Sequence, residues 1–333
     1  MKIENYKGIE GCVKVVGAKP GPKVVIMAGV HGDEPLGIDL IEFLHCSINT
    51  QKLSGEILTI LGNPEACKMG ERATAEDRDL NRIFSHDHVK RIMKVDPEHR
   101  TPEEKRLLEL VPLLEGTDFL LDIHQTRKPV DGGGWFACSA DTEMHHMIVS
   151  QSGIETVVSP ATPSAVQTMS DCTDTYIDSI GGIGITLEAG CKDDNIALNQ
   201  YRLYSCVTQF LGATGATPLP AEHEPKVQEQ LAVMLLEGEI IANTDNFQFQ
   251  PGIKNLSAAH YEDRVIAHDG GQPIILEAGS RLVFPKFNVK AGKPAGYIAT
   301  NHMRPTVPSS ERGQLSLPLN LVKSLRHNSR AIS

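Results

Sequence analysis

Short apolar runs alternate with segments of helical periodicity from the N-terminus to about residue 212. Runs of apolar and β-branched residues predict strands near residues 12–16, 24–28, 57–61, 119–123, 135–137 and 183–187. Between them, apolar residues recur three and four positions apart, which predicts helices near residues 37–48, 102–114, 142–152 and 196–211. This alternation is typical of an α/β fold, a mostly parallel or mixed sheet flanked by helices.

The pattern changes after residue 212. Residues 213–220 read Ala-Thr-Gly-Ala-Thr-Pro-Leu-Pro, a composition typical of a linker, and short β-type runs separated by Gly and Pro follow it. We therefore predict two domains. The larger α/β domain covers residues 1–212, and a smaller β-rich C-terminal domain covers residues 219–333.

Two of the predicted strands end in residues that bind metals. The strand near residues 24–28 is followed by the motif HGDE at residues 31–34, and the strand near residues 119–123 runs directly into His124. Two His and one Glu are the ligands of a catalytic zinc site, which leaves a coordination position open for water. Asp122 lies on the same strand face as His124 and could orient its ring. The sequence thus predicts a metal site formed by His31, Glu34 and His124 at the carboxyl edge of the sheet.

Glu188 follows another apolar run, residues 184–187, and so stands at a further strand end. Beside a metal site, a carboxylate in this position can act as a general base toward water. The alternative is an ordinary solvated acid at the end of a strand.

A polar block between residues 62 and 84 contains Arg72, Asn81 and Arg82. Guanidinium groups bind carboxylates through two parallel hydrogen bonds and can stabilise an oxyanion. Asp79 is placed to brace one of the two arginines. A surface loop with ordinary ion pairs is the alternative interpretation.

Composition excludes several classes of protein. The chain has 333 residues, 40% of them hydrophobic, as in a soluble globular protein, and its net charge of −10 argues against nucleic acid or an anionic membrane as the main partner.

Its seven cysteines form no C-x-x-C pair and indicate free thiols in a reducing compartment. The N-terminus lacks an apolar signal segment, and no apolar run is long enough to cross a membrane. We therefore expect a cytoplasmic protein.

Four blocks in a fixed order carry a resemblance to a known family. They are HGDE at 31–34, GNPEACKMGER with DRDLNRIF between 62 and 84, DIHQT at 122–126 and ITLEAG at 185–190. With them the chain resembles the succinylglutamate desuccinylase and aspartoacylase family, whose fold is that of the zinc carboxypeptidases. The similarity extends more loosely to DNFQFQPG and LVFPKFNVKAG in the C-terminal part.

The resemblance implies a function. The chain would be a zinc-dependent amidohydrolase that cleaves a small N-acyl amino acid into a carboxylate and a free amino acid, with residues 1–212 as the catalytic domain. One zinc ion per chain would be bound by the three predicted ligands, with Glu188 as general base, Arg72 stabilising the oxyanion, and Asn81 and Arg82 holding a substrate carboxylate. The C-terminal domain would narrow the mouth of the site. A carboxypeptidase-type peptide hydrolase and a non-catalytic metal-binding module are the alternatives.

One position departs from the family pattern. The family has an Arg ten residues before the catalytic Glu, and this chain has Asp178 there. Because an Asp cannot hold a carboxylate, either another cation such as Arg127 or Lys128 replaces that Arg, or the substrate presents an amine or a neutral group to Asp178. The sequence leaves the acyl group and the amino acid open, and it leaves open whether the chain forms a homo-oligomer.

Overall fold

The structure is a computed structural model that describes residues 5–75, 78–162, 165–166, 169–192, 194, 196–218 and 230–305. Its strands are β1 (Cys12–Val16), β2 (Lys19–Ala28), β3 (Ser54–Leu61), β4 (Phe119–Thr126), β5 (Phe136–Cys138), β6 (Thr156–Pro160), β7 (Ile183–Cys191), β8 (Gln230–Ile241), β9 (Gln248–Phe249), β10 (Ser257–Ala258), β11 (Arg264–Asp269), β12 (Gln272–Leu276), β13 (Ser280–Val283) and β14 (Pro294–Pro305). The helices are α1 (Pro35–Ser47), α2 (Pro64–Met69), α3 (His86–Met93), α4 (Pro102–Leu114), α5 (Glu143–Gln151), α6 (Thr173–Ser179) and α7 (Ile196–Ala213). Short 3-10 helices span Tyr6–Gly8, Leu80–Arg82 and Pro97–His99.

Among the described residues, one 11-stranded mixed sheet has the order β1-β3-β2-β4-β7-β5-β6-β8-β14-β13-β10. Strands β3, β2, β4 and β7 at its centre are parallel, whereas β5 runs antiparallel to β7. A 3-stranded antiparallel sheet, β12-β11-β9, lies in the C-terminal part. The prediction of a mixed, mostly parallel α/β fold with a β-rich C-terminal part is confirmed.

The central strands are buried on both faces because helices cover both sides of the sheet. Val24, Ile26 and Ala28 of β2 belong to one core cluster, which also contains apolar side chains of α1, α5 and α7. Val25 and Met27 belong to a second cluster, with side chains of α4 and α6. A strand buried in this way reads as a continuous apolar run, which explains why sequence analysis located the central strands well.

All of the strands and helices predicted before residue 212 are present. Sequence analysis missed α2, α3, α6 and β6, which are short, and it ended β4 and β7 several residues too early. The polar ends of β4 and β7 carry the candidate site. Their sequences, HQT and EAGC, have no strand-like apolar pattern, and pairing between the two strands maintains the extended conformation there.

The C-terminal strands continue the main sheet, because β8 pairs in parallel with β6. A second connection is made by Asn255, whose side-chain Nδ2 donates to Lys128 O at 2.9 Å and whose Oδ1 accepts from Phe284 N at 2.8 Å. The division into domains at residues 1–212 and 219–333 stays a prediction. Residues 219–229 and 306–333 lie outside the described residues.

Within the described ranges, no helix combines the length and the apolar character that crossing a membrane requires. The cysteines whose side chains are described there, which include Cys138, Cys172 and Cys191, are free thiols. Cys46 has no described side chain.

Candidate active site

The loop between β2 and α1 carries two of the predicted metal ligands, His31 and Glu34. Gly32 between them packs tightly on α2, since a Cβ atom at this position would lie 2.1 Å from the carbonyl carbon and oxygen of Ala66. Pro35 then begins α1 at the first helical position, where its missing N–H has no consequence. The backbone of the motif is thereby fixed on both sides of the ligands.

The three predicted ligands converge in the interior of the protein. His31 Nδ1 lies 2.9 Å from Glu34 Oε1, and His124 Nδ1 lies 3.0 Å from Glu34 Oε2. The two Nδ1 atoms are 3.1 Å apart. All three side chains are buried, and one ligand atom from each lies within 4.8 Å of the others. Two imidazole nitrogens and a carboxylate are a donor set that suits Zn²⁺.

Both imidazole rings are held from the outside by a carboxylate. His31 Nε2 lies 3.0 Å from Asp79 Oδ1, and His124 Nε2 lies 3.0 Å from Asp122 Oδ2. Such partners are typical of metal-binding histidines, because they fix the ring and direct the other nitrogen at the metal. The expectation that Asp122 orients His124 is confirmed, and the residues present fit a metal ion.

The charges of the site are strongly coupled. Burial alone would raise the pKa of Glu34, but His31 and His124 hold this pKa well below its usual range. Burial would likewise lower the pKa of His124, yet the carboxylates of Asp122 and Glu34 raise it well above its usual value. In the protein without a metal, a proton on His124 therefore balances part of the negative charge.

Glu188 lies beside the ligands. It is the register partner of His124 on the neighbouring parallel strand β7, so both side chains leave the sheet on the same face. The Glu188 side chain is buried, and this burial raises its pKa to about 7; Glu34 adds to the effect, while His124, His31 and Arg72 oppose it. A carboxylate with a pKa near neutrality can both take up and release a proton at physiological pH.

Arg72 lies at the mouth of the ligand group. Its Nε and Nη2 donate to Asp79 Oδ2 at 3.2 and 3.0 Å, and its Nη1 lies 3.6 Å from Glu34 Oε1. The expectation that Asp79 braces an arginine is confirmed. Since the other oxygen of Asp79 contacts His31, this carboxylate fixes a predicted metal ligand and a cation together.

Asn81 and Arg82 lie on the adjacent 3-10 helix. Asn81 Nδ2 lies 3.4 Å from His124 Nε2, and its Oδ1 accepts from Thr173 N at 2.9 Å, so the amide connects the site to α6. Arg82 Nη1 donates to Asn81 O at 2.6 Å and to Cys172 Sγ at 3.4 Å. Asn81 therefore has a structural task here, whereas Arg82 places a positive charge in the wall of the site.

These residues surround a cavity of about 330 Å³. The predicted site residues that line it are His31, Glu34, Arg72, Asn81, Arg82, His124, Arg127 and Glu188. The C-terminal part contributes Asn255, Phe284, Pro285, Lys286 and Tyr297 to the same wall. Burial, together with Arg82 and Arg72, lowers the pKa of Lys286 to about 8. Three cations, Arg72, Arg82 and Lys286, therefore share the cavity wall and act on one another.

Asp178 is the predicted site residue that the structure does not bring to the cavity. Its Oδ1 accepts from Gly184 N at 2.8 Å and lies 3.1 Å from His145 Nε2. Asp174, one helical turn earlier on α6, lines the cavity in its place. Asp178 is therefore not part of the cavity wall in which a substrate contact was expected.

Sequence analysis missed several residues of the cavity wall, among them Cys138, Asp174, Thr186 and Lys286. A signal for Thr186 was present, because it lies two residues before Glu188 and alternation along a strand places both on one face. The sequence carried no such signal for Asp174 or Lys286. Asp174 lies on a seven-residue helix and Lys286 in a C-terminal loop, and tertiary contacts alone position both segments.

The fold and the site together define an α/β protein with a buried His–Glu–His group, able to hold a metal ion, at the carboxyl edge of a mixed sheet. Residues 20–202 match the model of the succinylglutamate desuccinylase/aspartoacylase catalytic domain. The chain belongs to this family, as its sequence blocks predicted.

Individual relatives agree with this assignment. The chain is 28% identical over 303 residues to the succinylglutamate desuccinylase of Paraburkholderia xenovorans, which covers 85% of this chain and 83% of the relative. A succinylglutamate desuccinylase of Pseudomonas aeruginosa is 25% identical over 310 residues, covering 87% and 88% of the two chains. The crystal structure of succinylglutamate desuccinylase from Vibrio cholerae is similar in fold, with a TM-score of 0.67, 20% identity and coverage of 91% and 93%.

Proposed function

We propose that this protein is a zinc-dependent amidohydrolase that cleaves the amide bond of a small N-acyl amino acid, releasing a carboxylate and a free amino acid. The observation that carries the proposal is the position of Glu188. This buried carboxylate stands in register beside His124, one of three donors that converge as metal ligands do. Membership of the family supports the same reaction.

His31, Glu34 and His124 would hold the metal. When bound, zinc supplies a Lewis acid that polarises a carbonyl group and makes water more acidic. The carboxylates of Asp79 and Asp122 keep the two rings aimed at the centre of the site. These contacts keep the ligands in place through the reaction.

Glu188 acts as the general base and then as the general acid. Its carboxylate accepts a proton from the attacking water and later donates that proton to the nitrogen of the departing amine. A pKa of about 7 suits both steps, because neither protonation state is strongly favoured near neutrality.

Arg72 stabilises the negative charge that develops on the carbonyl oxygen during attack. Its two hydrogen bonds to Asp79 hold the guanidinium beside Glu34, so little reorganisation is needed as the charge forms. Pre-oriented cations of this kind often make the largest single contribution to acyl-transfer catalysis.

The cationic wall supports a substrate that carries a carboxylate. Arg82 and Lys286 approach each other closely enough that Arg82 lowers the pKa of Lys286, and an anion between them would relieve this repulsion. Arg127 adds a further cation at the exposed rim. A cavity of about 330 Å³ favours a small acylated amino acid over a folded or extended peptide. A cytoplasmic location stays a prediction from the sequence.

The test is release of free amine by the zinc-loaded protein from N-acetyl, N-formyl and N-succinyl amino acids, with a blocked dipeptide in the same panel. The Glu188→Gln variant keeps the shape of the side chain and removes its basicity. We expect turnover of acylated amino acids to fall by about 10²- to 10⁴-fold in this variant, with zinc content unchanged by metal analysis. Turnover that survives the substitution, or turnover of the dipeptide alone, would contradict the proposal.

A further inference from the structure

Asp174 is a buried acid in the cavity wall that the proposed hydrolysis does not use. Only 6% of its surface is exposed, and it lines the same cavity as Glu188. Its Oδ1 accepts a hydrogen bond from Thr175 N at 2.9 Å. Among the described residues the carboxylate has no other hydrogen bond and no ion pair, so Oδ2 has no partner among them.

Tight packing of α6 on β7 puts Asp174 in this position. A Cβ atom at Gly184 would lie 2.1 Å from Asp174 O, so only Gly allows the helix to come this close to the strand. Asp178 lies one turn further on, about 6 Å along the helix axis, and contacts Gly184 N and His145 instead. The packing therefore separates two acids of one helix into an inner one and an outer one.

The sheet beneath Asp174 presents a second polar group without a partner. Thr186 pairs with Asp122 of β4 and with Cys138 of β5, which places these three side chains in one row below His124 and Glu188. The Thr186 side chain lines the cavity, 6% of the residue is exposed, and its Oγ1 has no hydrogen-bond partner among the described residues. Buried polar atoms are almost always satisfied, so an unpaired one in a cavity wall points to a ligand or water.

The charges of Asp122 and His124 also act on Asp174, with opposite effects on its pKa, and two thiols line the same cavity. Burial raises the pKa of the Cys138 and Cys172 thiols, so both are neutral at physiological pH. Arg82 is the nearby cation, but its Nη1 donates to Asn81 O and to Cys172 Sγ. Burial and the charge of Asp178 raise the pKa of Asp174 to about 7. An anionic Asp174 would thus be stabilised by a positive group brought in by the substrate.

We propose that Asp174 and Thr186 form a subsite for an ammonium group, and that the preferred substrate is a diamino acid acylated on one of its two nitrogens. The inference rests on the proposed function and names its substrate class. An ammonium has three donors and can bond to both Asp174 Oδ2 and Thr186 Oγ1. The cations Arg82 and Lys286 line the same cavity, so a substrate with both a carboxylate and an ammonium would find an opposite charge for each group.

The test compares substrates that differ by one amino group. Nα-acetyl-ornithine and Nα-acetyl-norvaline have the same backbone and the same number of side-chain carbons, and Nδ-acetyl-ornithine reports which nitrogen is acylated. We expect the zinc-loaded protein to hydrolyse one of the two acetyl-ornithines with a kcat/KM at least tenfold above that of the norvaline compound. A ratio near one, or a preference for norvaline, would overturn the proposal.

Two variants of α6 provide a matched pair. Asp174→Asn keeps the acceptor for Thr175 N and removes the charge, and we expect it to lower the ornithine-to-norvaline ratio about tenfold, mainly through KM. Asp178→Asn removes a charge one turn away that does not line the cavity; because that charge raises the pKa of Asp174, this variant should keep or increase the ratio rather than lower it. If both variants change the ratio equally, the effect is not specific to the cavity and the proposal fails. Thr186→Val should also lower the ornithine-to-norvaline ratio. It replaces Asp174→Asn as the test of the subsite if that variant does not fold.

Failure of the hydrolase proposal would give a different result. If no acylated amino acid is hydrolysed by the zinc-loaded protein, titration calorimetry with free L-ornithine and L-norvaline still decides the subsite. Tighter binding of ornithine that is lost in Asp174→Asn would support the ammonium subsite in a protein of another activity. Equal binding of the two amino acids, or no binding of either, would overturn it.

Discussion

His31 Nδ1 and His124 Nδ1 face each other at 3.1 Å, with one oxygen of Glu34 beside each of them. Asp79 and Asp122 each accept from the Nε2–H of one ring, so two neutral imidazoles direct their Nδ1 lone pairs at the same point. A divalent cation or a single proton resolves the conflict, and the anionic Glu34 favours either. Metal binding and protonation are therefore expected to compete at this site.

Zinc binding should release about one proton per ion at pH 7. The reason is that Asp122 and Glu34 raise the pKa of His124 well above its usual value, so the metal must displace a proton from the ring. Zinc affinity should then decrease as the pH is lowered. Calorimetry in two buffers of different ionisation enthalpy measures the proton count. The exposed-site variant His99→Asn should bind zinc with unchanged proton release, and a count of zero in the unmodified protein would contradict the expectation.

The rate of hydrolysis should rise with pH through about 7 and then level off. Burial raises the pKa of Glu188 to about 7, and only the deprotonated carboxylate can accept a proton from water. Below this pKa, kcat/KM should fall about tenfold for each pH unit. The measurement is a pH profile of kcat/KM on the best substrate of the panel. The residual activity of Glu188→Gln should not show this decrease of kcat/KM below pH 7. If the decrease persists in the variant, it comes from the titration of another group.

Gly32→Ala should destabilise the protein and weaken its metal site together. The added methyl group would lie 2.1 Å from the backbone of Ala66, so the loop must move away from α2 and carry both ligands with it. Overpacking of this kind costs roughly 1–3 kcal/mol, which denaturant unfolding can measure. Gly134→Ala is the control, since a Cβ atom there meets no atom within 4 Å. Equal stability of the two variants would show that the loop tolerates the displacement.

Asp79→Ala should reduce both metal affinity and turnover. The substitution removes the acceptor of His31 Nε2 and both hydrogen bonds of Arg72, so a ligand and the proposed oxyanion cation lose their orientation. Loss of such an outer partner lowers metal affinity about 10- to 100-fold. Competition with a zinc chelator measures the affinity, and saturating zinc should leave a defect in kcat that comes from Arg72. The exposed acid Asp87 is the control, because Asp87→Ala should change neither quantity.

Local sequence was sufficient to predict the three candidate metal ligands. His31 and Glu34 occupy a short loop at the end of a buried strand, and His124 lies near the end of the adjacent strand, so parallel pairing brings them to one edge. The apolar runs of these strands are long enough to specify their burial on both faces. The roles expected for Asp79 and Asp122 are likewise confirmed, since Asp122 contacts His124 two residues away and Asp79 accepts from Arg72, seven residues away.

Tertiary packing determines which of the two aspartates of α6 faces the cavity. The sequence offers Asp174 and Asp178 one turn apart on the same short helix, and no local pattern ranks them. The close approach at Gly184 sets the position of α6 along β7, which puts Asp174 inside and leaves Asp178 with His145.

The sequence by itself determined the family, the central α/β elements and the ligands at the strand ends, because periodicity and short spacing act over a few residues. Tertiary structure alone decided that β8 would join the sheet beside β6, that Lys286 would reach the cavity from the C-terminal part, and that Thr186 and Cys138 would lie in one row beneath the ligands. These relationships join segments that are far apart in the chain. They depend on strand register and on how closely backbones can approach, which residue type alone does not encode.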